Sequence, residues 1–299
     1  MKKPRLFFPG DLIEVRSASE ILATLDNKGT LDGLPFMPEM LVFSGKQFRV
    51  SRRVEQTCVE GYGIRRISNT VFLEDLRCDG SAHAGCHMGC VIFWKEAWLK
   101  GIKVSLHHNV SGSDKDPIRP GLPTTKDDHR FFCQATELFA STQHLSLWDP
   151  YRWYIGLRFR NISLREFLRL FFLPFWHKTQ KAVYGHSSLQ PVGILCTTPE
   201  QELNLQQGDI VQIKSKEEIA ATLDANGRNR GLLFTPLMAQ FCGRSFTVER
   251  RVERIIREDT GEMVNVLNTV TLKGAPIRRR HCPGRLPQKF IPSVERDLA

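Results

Sequence analysis

Between Cys78 and Cys90 the chain reads CDGSAHAGCHMGC, placing three cysteines and two histidines within thirteen residues. Thiols this crowded form a disulfide, hold a metal, or do redox chemistry. The opening residues, MKKPRLFFPG, offer only a short apolar run before Pro9 and Gly10 and so do not read as an export signal. A reducing cytoplasm is therefore the expected location. Disulfides are rare there, which leaves metal ligation as the first reading and reactive thiols as the second. Thiolate is a soft donor suited to zinc, copper(I) or iron–sulfur clusters. Cys86 and Cys90 stand four apart, and in a helix would share a face. Gly80, Gly85 and Gly89 would let the backbone pass close to a bound ion. Three sulfurs need a fourth ligand. His83 and His87 are candidates within the loop, and Cys133, in FFCQATEL, is a candidate from further along the chain. The spacing matches neither a paired CxxC finger nor the close triplets of bacterial ferredoxins. Zinc and an iron–sulfur cluster both stand as expected cofactors.

Other catalytic signatures are missing from the sequence: there is no P-loop, GxGxxG, HExxH or GxSxG. His107-His108 and Asp127-Asp128-His129 read as solvated loop residues. Cys58, Cys196 and Cys242 read as small core residues. The chain carries 42 Lys and Arg against 32 Asp and Glu, a net charge of +10, which favours an anionic partner. Arg52-Arg53 and Arg250-Arg251 are candidate anion contacts that could straddle a nucleic-acid backbone. The competing reading pairs these arginines with Glu55, Glu249 and Glu253. Trp94 and Trp98 follow the cysteine loop. They read as core that seals it, with base stacking as the alternative.

What positions these groups is an internal duplication. Residues 10–55 align without a gap to 208–253, with 23 identities in 46 positions. The match resumes at Asn69-Thr70-Val71-x-Leu73 against Asn268-Thr269-Val270-x-Leu272. In each copy the spacing predicts a strand (12–16, 210–214). It then predicts a short helical turn opened by a capping box, Ser17-x-x-Glu20 or Ser215-x-x-Glu218. A glycine turn and two further strands complete the copy. The cysteine cluster is confined to the first copy, where it points to a role that the second lacks.

Short strands broken by glycine turns suggest small barrels. The expected fold is mainly β with a helical insert (α+β): two duplicated SH3-like small barrels flanking a helical segment. The boundaries read as 1–109 for the first barrel with its Cys-rich loop, 110–200 for linker and insert, and 201–299 for the second barrel. Phe131 to Phe139 reads as helical. Residues 163–176, SLREFLRLFFLPFW, read as an amphipathic helix packed on a core rather than on a membrane surface. No apolar run reaches the roughly 20 residues of a membrane span.

The "GD-hydrophobic-x-V" openings loosely resemble the SH3-like barrels of ribosomal and transcription-elongation proteins. Residues 69–99, NTVFLEDLRCDGSAHAGCHMGCVIFWKEAWL, together with Cys133-Gln-Ala-Thr-Glu-Leu138 and Trp148-Asp-Pro150, resemble the signatures of a bacterial protein family of uncharacterised activity. That resemblance implies that Cys78, Cys86, Cys90 and Cys133 belong together. It brings no activity with it, and the basic RRRHCPGRLPQKF near the C-terminus departs from its pattern. The leading expectation is a metal-stabilised adaptor engaging a protein or other anionic partner. An iron–sulfur or other metal-dependent enzyme, and a nucleic-acid-binding protein, are the alternatives.

Overall fold

A computed structural model describes residues 6–59, 62–102, 121–146, 158, 204–229, 232–234 and 238–274, and the backbone of 293–295. The chain is mainly β and divides into two compact units, one built chiefly on Met1–Ser163 and the other chiefly on Leu164–Ile255 and Val264–His281. Among the described residues no helix is long and apolar enough to cross a membrane.

In the first unit, β1 (Leu12–Val15) alternates half-buried and buried residues, and Ile13 and Val15 enter the core. Ser17 caps α1 (Ala18–Leu22) through the capping box legible in the sequence. Next come the short pair β2 (Thr30–Leu31) and β3 (Leu34–Pro35) and a 3-10 turn, Pro38–Phe43. The long strands β4 (Gln47–Val59) and β5 (Gly63–Leu73) form the body of the sheet, bent by register shifts at Val50/Arg52 and Val54/Gln56. The sheet is completed by β6 (Trp94–Lys95), β7 (Leu99–Gly101) and β8 (Gln143–His144), in the order β6-β5-β4-β1-β7 with β8 also on β5.

This order fixes the shape. β6 and β7 lie at opposite edges, yet only the 3-10 turn Glu96–Trp98 joins them. Four flat strand spacings would separate them by about 19 Å, whereas the four Cα steps from Lys95 to Leu99 reach at most about 14 Å. The sheet must therefore roll. It stops short of the expected closed barrel, because no hydrogen-bonded ladder joins β6 to β7.

The second unit repeats the plan. β9 (Ile210–Gln212) leads to α2 (Lys216–Ala220), opened by the Ser215–Glu218 capping box. The pair β10 (Arg228–Asn229) and β11 (Leu232–Leu233) follows, then a 3-10 turn at Met238–Phe241. The long strands are β12 (Ser245–Ile256) and β13 (Met263–Leu272), and β14 (Ser293–Glu295) pairs with β13. Register is conserved between the copies: Ile13 faces Phe48 as Val211 faces Phe246. Asn69 and Asn268 both take φ 53°, a left-handed conformation that asparagine tolerates.

The FWKEAW segment after the cysteine loop organises the first core. Trp94 and Trp98 are both fully buried, and Phe36 meets each edge-on at 6.4 and 5.2 Å. The indole of Trp98 donates to Thr24 Oγ1. Between the tryptophans, Lys95 reaches Asp32 at 2.9 Å and Glu96 pairs with Arg53. Base stacking by these rings is excluded by their burial. Phe131 to Phe139 folds as successive turns rather than the expected helix. Its residues are spent on contacts with the first unit, described below, and local propensity yields to them. Residues 110–120 of the expected linker 110–128, His107-His108, Trp148-Asp149-Pro150, the helix at 163–176, Cys196 and the basic tail from residue 278 lie outside the described residues.

Candidate metal centre

The loop 78–90 is closed at its neck. Arg77 bridges Val91, the Cys78 N–H donates to the Cys90 carbonyl at 2.9 Å, and the Arg77 guanidinium donates to the Gly89 carbonyl at 2.8 Å. The first and last cysteines are therefore cross-strand neighbours. Inside the neck the chain turns back on Gly80, whose carbonyl accepts from both His83 N–H and Gly85 N–H. Gly80 has φ +71°, and a Cβ there would lie 2.2 Å from the Cys86 carbonyl oxygen. Only glycine allows this approach, which carries the Cys86 backbone against Gly80. Gly80→Ala is expected to destabilise the first unit by more than about 1 kcal/mol and to abolish metal retention. Thermal melts and metal content of the purified variant check both.

His83 is buried and fully engaged. Nδ1 lies 2.5 Å from Glu39 Oε1, and Nε2 donates to the Phe132 carbonyl at 3.0 Å. Burial, the strongest influence on this ring, lowers its pKa. The hydrogen bond and charge of Glu39 and the Phe132 carbonyl together outweigh it and raise the pKa above its ordinary value. Here the candidate ligand His83 has both ring nitrogens engaged, and it holds three segments together. These are the Pro38–Phe43 turn, the cysteine loop and the residue preceding Cys133. His87 sits half-buried in the same loop.

Residues 131–145 lie against this loop and β5. Gln134 is buried and its side-chain amide substitutes for a strand. Oε1 accepts from Phe93 N–H at 2.8 Å, and Nε2 donates to the carbonyls of Phe93 and Pro35 at 2.9 and 3.1 Å. Arg65 of β5 donates to Thr142 Oγ1 and to its carbonyl, both at 2.8 Å, and lies 4.2 Å over the Phe139 ring. Cys133 is thereby brought to the cysteine loop across more than forty residues of sequence.

Cys86 and Cys133 are buried, Cys78 and Cys90 partly so. Burial pushes the Cys78 thiol up to about 12, helped by the charge of Glu39 and by the neighbouring Cys133 and Cys86. Burial raises Cys90 well above its ordinary value, with Cys133, Cys78 and Cys86 adding to it. Cys133 is raised by burial, while the backbone N–H groups of Thr136 and Ala135 act in the opposite sense. The Gly80 N–H does the same for Cys78.

Among the described residues no group of three or more Cys, His, Asp or Glu side chains is placed so that it could hold a metal ion. By residue type alone, four cysteines with glycine where the loop crosses itself would suit a soft cation. Glu39 Oε2 is buried without a hydrogen-bond partner, and Oε1 of the same carboxylate is 3.9 Å from Cys78 Sγ.

The arginine strips need correction. Arg53 is 1% exposed and held by Glu55 at 2.5 Å and by Glu96, and Arg52 is buried too. Neither can lie against a phosphate backbone; the competing pairing with Glu55 is what forms. Arg250 and Arg251 are half-buried in β12. Asp127, Asp128 and His129 are exposed, as a solvated loop requires.

Sequence reasoning missed Glu39, Gln134 and Glu96. Glu39 had a signal: in the gapless alignment of the copies it faces Leu237, so its charge occurs only in the copy with the cysteine loop. Gln134 and Glu96 have no counterpart in the aligned segments. No family model, curated protein or solved structure matches the chain.

Proposed function

We propose that Cys78, Cys86, Cys90 and Cys133 form a tetrathiolate site for a structural zinc ion, and that the protein is a metal-stabilised binding module of a reducing compartment. The observation that carries this reading is the convergence of Cys133 on the loop. Two independent side-chain locks, His83 on the Phe132 carbonyl and Gln134 on Phe93, flank that cysteine on either side. When bound, the ion would supply a crosslink between residues 131–145 and the cysteine loop of the same unit, the role metals play in small cores. Four protein sulfurs fill a tetrahedral shell and leave no open position for substrate. The nearby imidazole is occupied as a clamp, which favours an adaptor over an enzyme. The first unit reads as SH3-like: a rolled five-strand order whose last strand returns beside the first after a 3-10 turn. The second copy, without the cysteine cluster, serves as a further binding surface in this reading.

Protein purified anaerobically is expected to be colourless and to carry about one zinc per chain, four thiols being the complete ligand set. Elemental analysis with an absorption spectrum decides it. A brown protein absorbing near 400 nm replaces zinc with an iron–sulfur cluster on the same cysteines. Metal-free protein with four freely titrating thiols overturns the reading.

A further inference from the structure

Apolar side chains left at a protein surface are ordinarily scattered singly, but two of those in the first unit are in contact. Tyr62 is 63% exposed and Phe139 is 44% exposed. Their ring centroids lie 4.2 Å apart, with the planes tilted by 40°. Tyr62 belongs to the turn between β4 and β5, where its N–H donates to the Val59 carbonyl. Phe139 comes from the turns that follow Cys133. The two rings meet without burying each other, so most of the Tyr62 surface stays open to a planar ligand.

Arg65 makes the pair a platform. Its guanidinium lies 4.2 Å over the Phe139 ring centroid. Thr142 holds it there, with Nε donating to Oγ1 and Nη2 to the carbonyl, both at 2.8 Å. Among the described residues its third nitrogen, Nη1, has no hydrogen-bond partner. A cation, a phenyl ring and a phenol ring therefore sit in contact, with the cation fixed in place. His144 stands opposite Arg65 in the β5–β8 pair and is exposed. Residues directly opposite share a face of the sheet, so its imidazole lies on the side of Arg65.

The charge around the rings has one sign. Residues 62–66 and 139–144 contain Arg65, Arg66 and His144 and no carboxylate. Glu137, two residues before Phe139, is ion-paired with Lys126 at 2.5 Å. The repeat supplies a comparison. The equivalent hairpin of the second copy, between β12 and β13, has Arg257 paired with Asp259 at 2.5 Å, Glu258 and Glu262 beside them, and no aromatic residue from Ile256 to Met263. A hairpin of this fold thus forms without exposed rings, and the aromatic patch is an addition of the first copy.

We propose that Tyr62, Phe139 and Arg65 form a stacking site for single-stranded nucleic acid, with a base on the Tyr62 ring and the phosphates drawn to Arg65 and His144. Aromatic faces take bases whatever their sequence, and cations beside them hold the backbone. A base must be unpaired to reach the ring, so the strand is single. A proline-rich peptide also lies on aromatic rings, but the cationic surround selects a polyanion, as does the net charge of +10. The site uses no cysteine and stands apart from the metal reading.

The test measures fluorescence anisotropy with the full chain at about 50 mM salt. The probe is a fluorescein-labelled oligouridylate of about twelve nucleotides. Its control is an abasic strand of the same length and charge. The oligouridylate should bind saturably, and the abasic strand at least about fivefold more weakly, the low end for one base–aromatic stack. Tyr62→Ala should lose a similar factor, Tyr62→Phe should bind as the parent does, and both should keep the parent's melting temperature, because the ring is exposed. Four outcomes each overturn the proposal: no saturable binding of the oligouridylate; equal affinity for the abasic strand; equal affinity in Tyr62→Ala; and a proline-rich peptide that binds through Tyr62 more tightly than the strand does, which would make a protein the occupant.

Discussion

Replacing Cys133 with serine is expected to release the metal and lower the melting temperature of the first unit by about 8–16 °C. The figure follows from linkage. A ligand present at a thousand times its dissociation constant stabilises the folded state by about 4.1 kcal/mol. In a unit of roughly 150 residues each kcal/mol moves the midpoint by about 2–4 °C. Serine keeps the size and the polar contact but not the soft thiolate, so the loss reports ligation rather than packing. The segment carrying Cys133 should respond first. Lys126 and Arg130, on one side of it, should become cleavable by trypsin under native conditions, since the metal no longer restrains residues 131–145. Adding a strong chelator to the unmodified protein should reproduce both effects, and adding it to the variant should change nothing further. Ser substitution at Cys58 or Cys242, which stand apart from the cluster, is the control and should leave metal content unchanged. A Cys133→Ser protein that keeps its metal and its melting temperature would remove Cys133 from the site, and with it the clamp.

How much of this was legible beforehand depends on which interactions are local. The capping boxes at Ser17 and Ser215 follow from three-residue spacing, and both form. The duplication was visible as identities at fixed offset, and the shared register of β1 and β9 confirms that the copies fold alike. Roles set by long-range contacts were not legible. His83 has the residue type of a ligand, and only the positions of Glu39 and the Phe132 carbonyl, 44 and 49 residues away, turn it into a clamp. Arg53 looks like a surface cation in sequence because the carboxylate that holds it, Glu96, is 43 residues distant. The turns at 131–139 were mistaken for a helix because their apolar spacing serves docking on β5 and the cysteine loop. The openness of the first sheet was equally hidden, since closure depends on whether β6 and β7 pair, and strands of two and three residues carry almost no sequence signal.

The buried arginine supplies the other large expected effect. Arg53 is enclosed by two carboxylates: Nε donates to Glu55 at 2.5 Å, and the two terminal nitrogens engage Glu96, which also accepts from Phe7 N–H at 2.8 Å. Arg53→Met keeps much of the aliphatic stem and removes the charge. Two buried carboxylates are then left without this cation, and breaking a buried pair in this way costs about 3–5 kcal/mol. At about 2–4 °C per kcal/mol, the melting temperature should fall by roughly 6–20 °C. The penalty should also depend on pH, in a direction that can be worked out. Burial raises the pKa of Glu55 above its ordinary 4.5, and Arg53 is the largest influence pulling it back. A carboxyl whose pKa is raised by folding favours the native state below its unfolded value. That contribution is lost as pH rises through the folded value. Without Arg53 the folded value rises further, so the variant should regain stability on going from pH 7 to pH 5 more than the parent does. Urea titrations at both pH values, run with chelator in every sample so that metal release at low pH adds nothing, measure the difference. Arg53→Met combined with Glu55→Gln and Glu96→Gln should recover most of the loss, because neutral amides at both positions can be buried at lower cost. A penalty that is the same at both pH values, or that survives the triple substitution, would mean that Arg53 acts through packing alone and that the carboxylates around it are balanced by other cations.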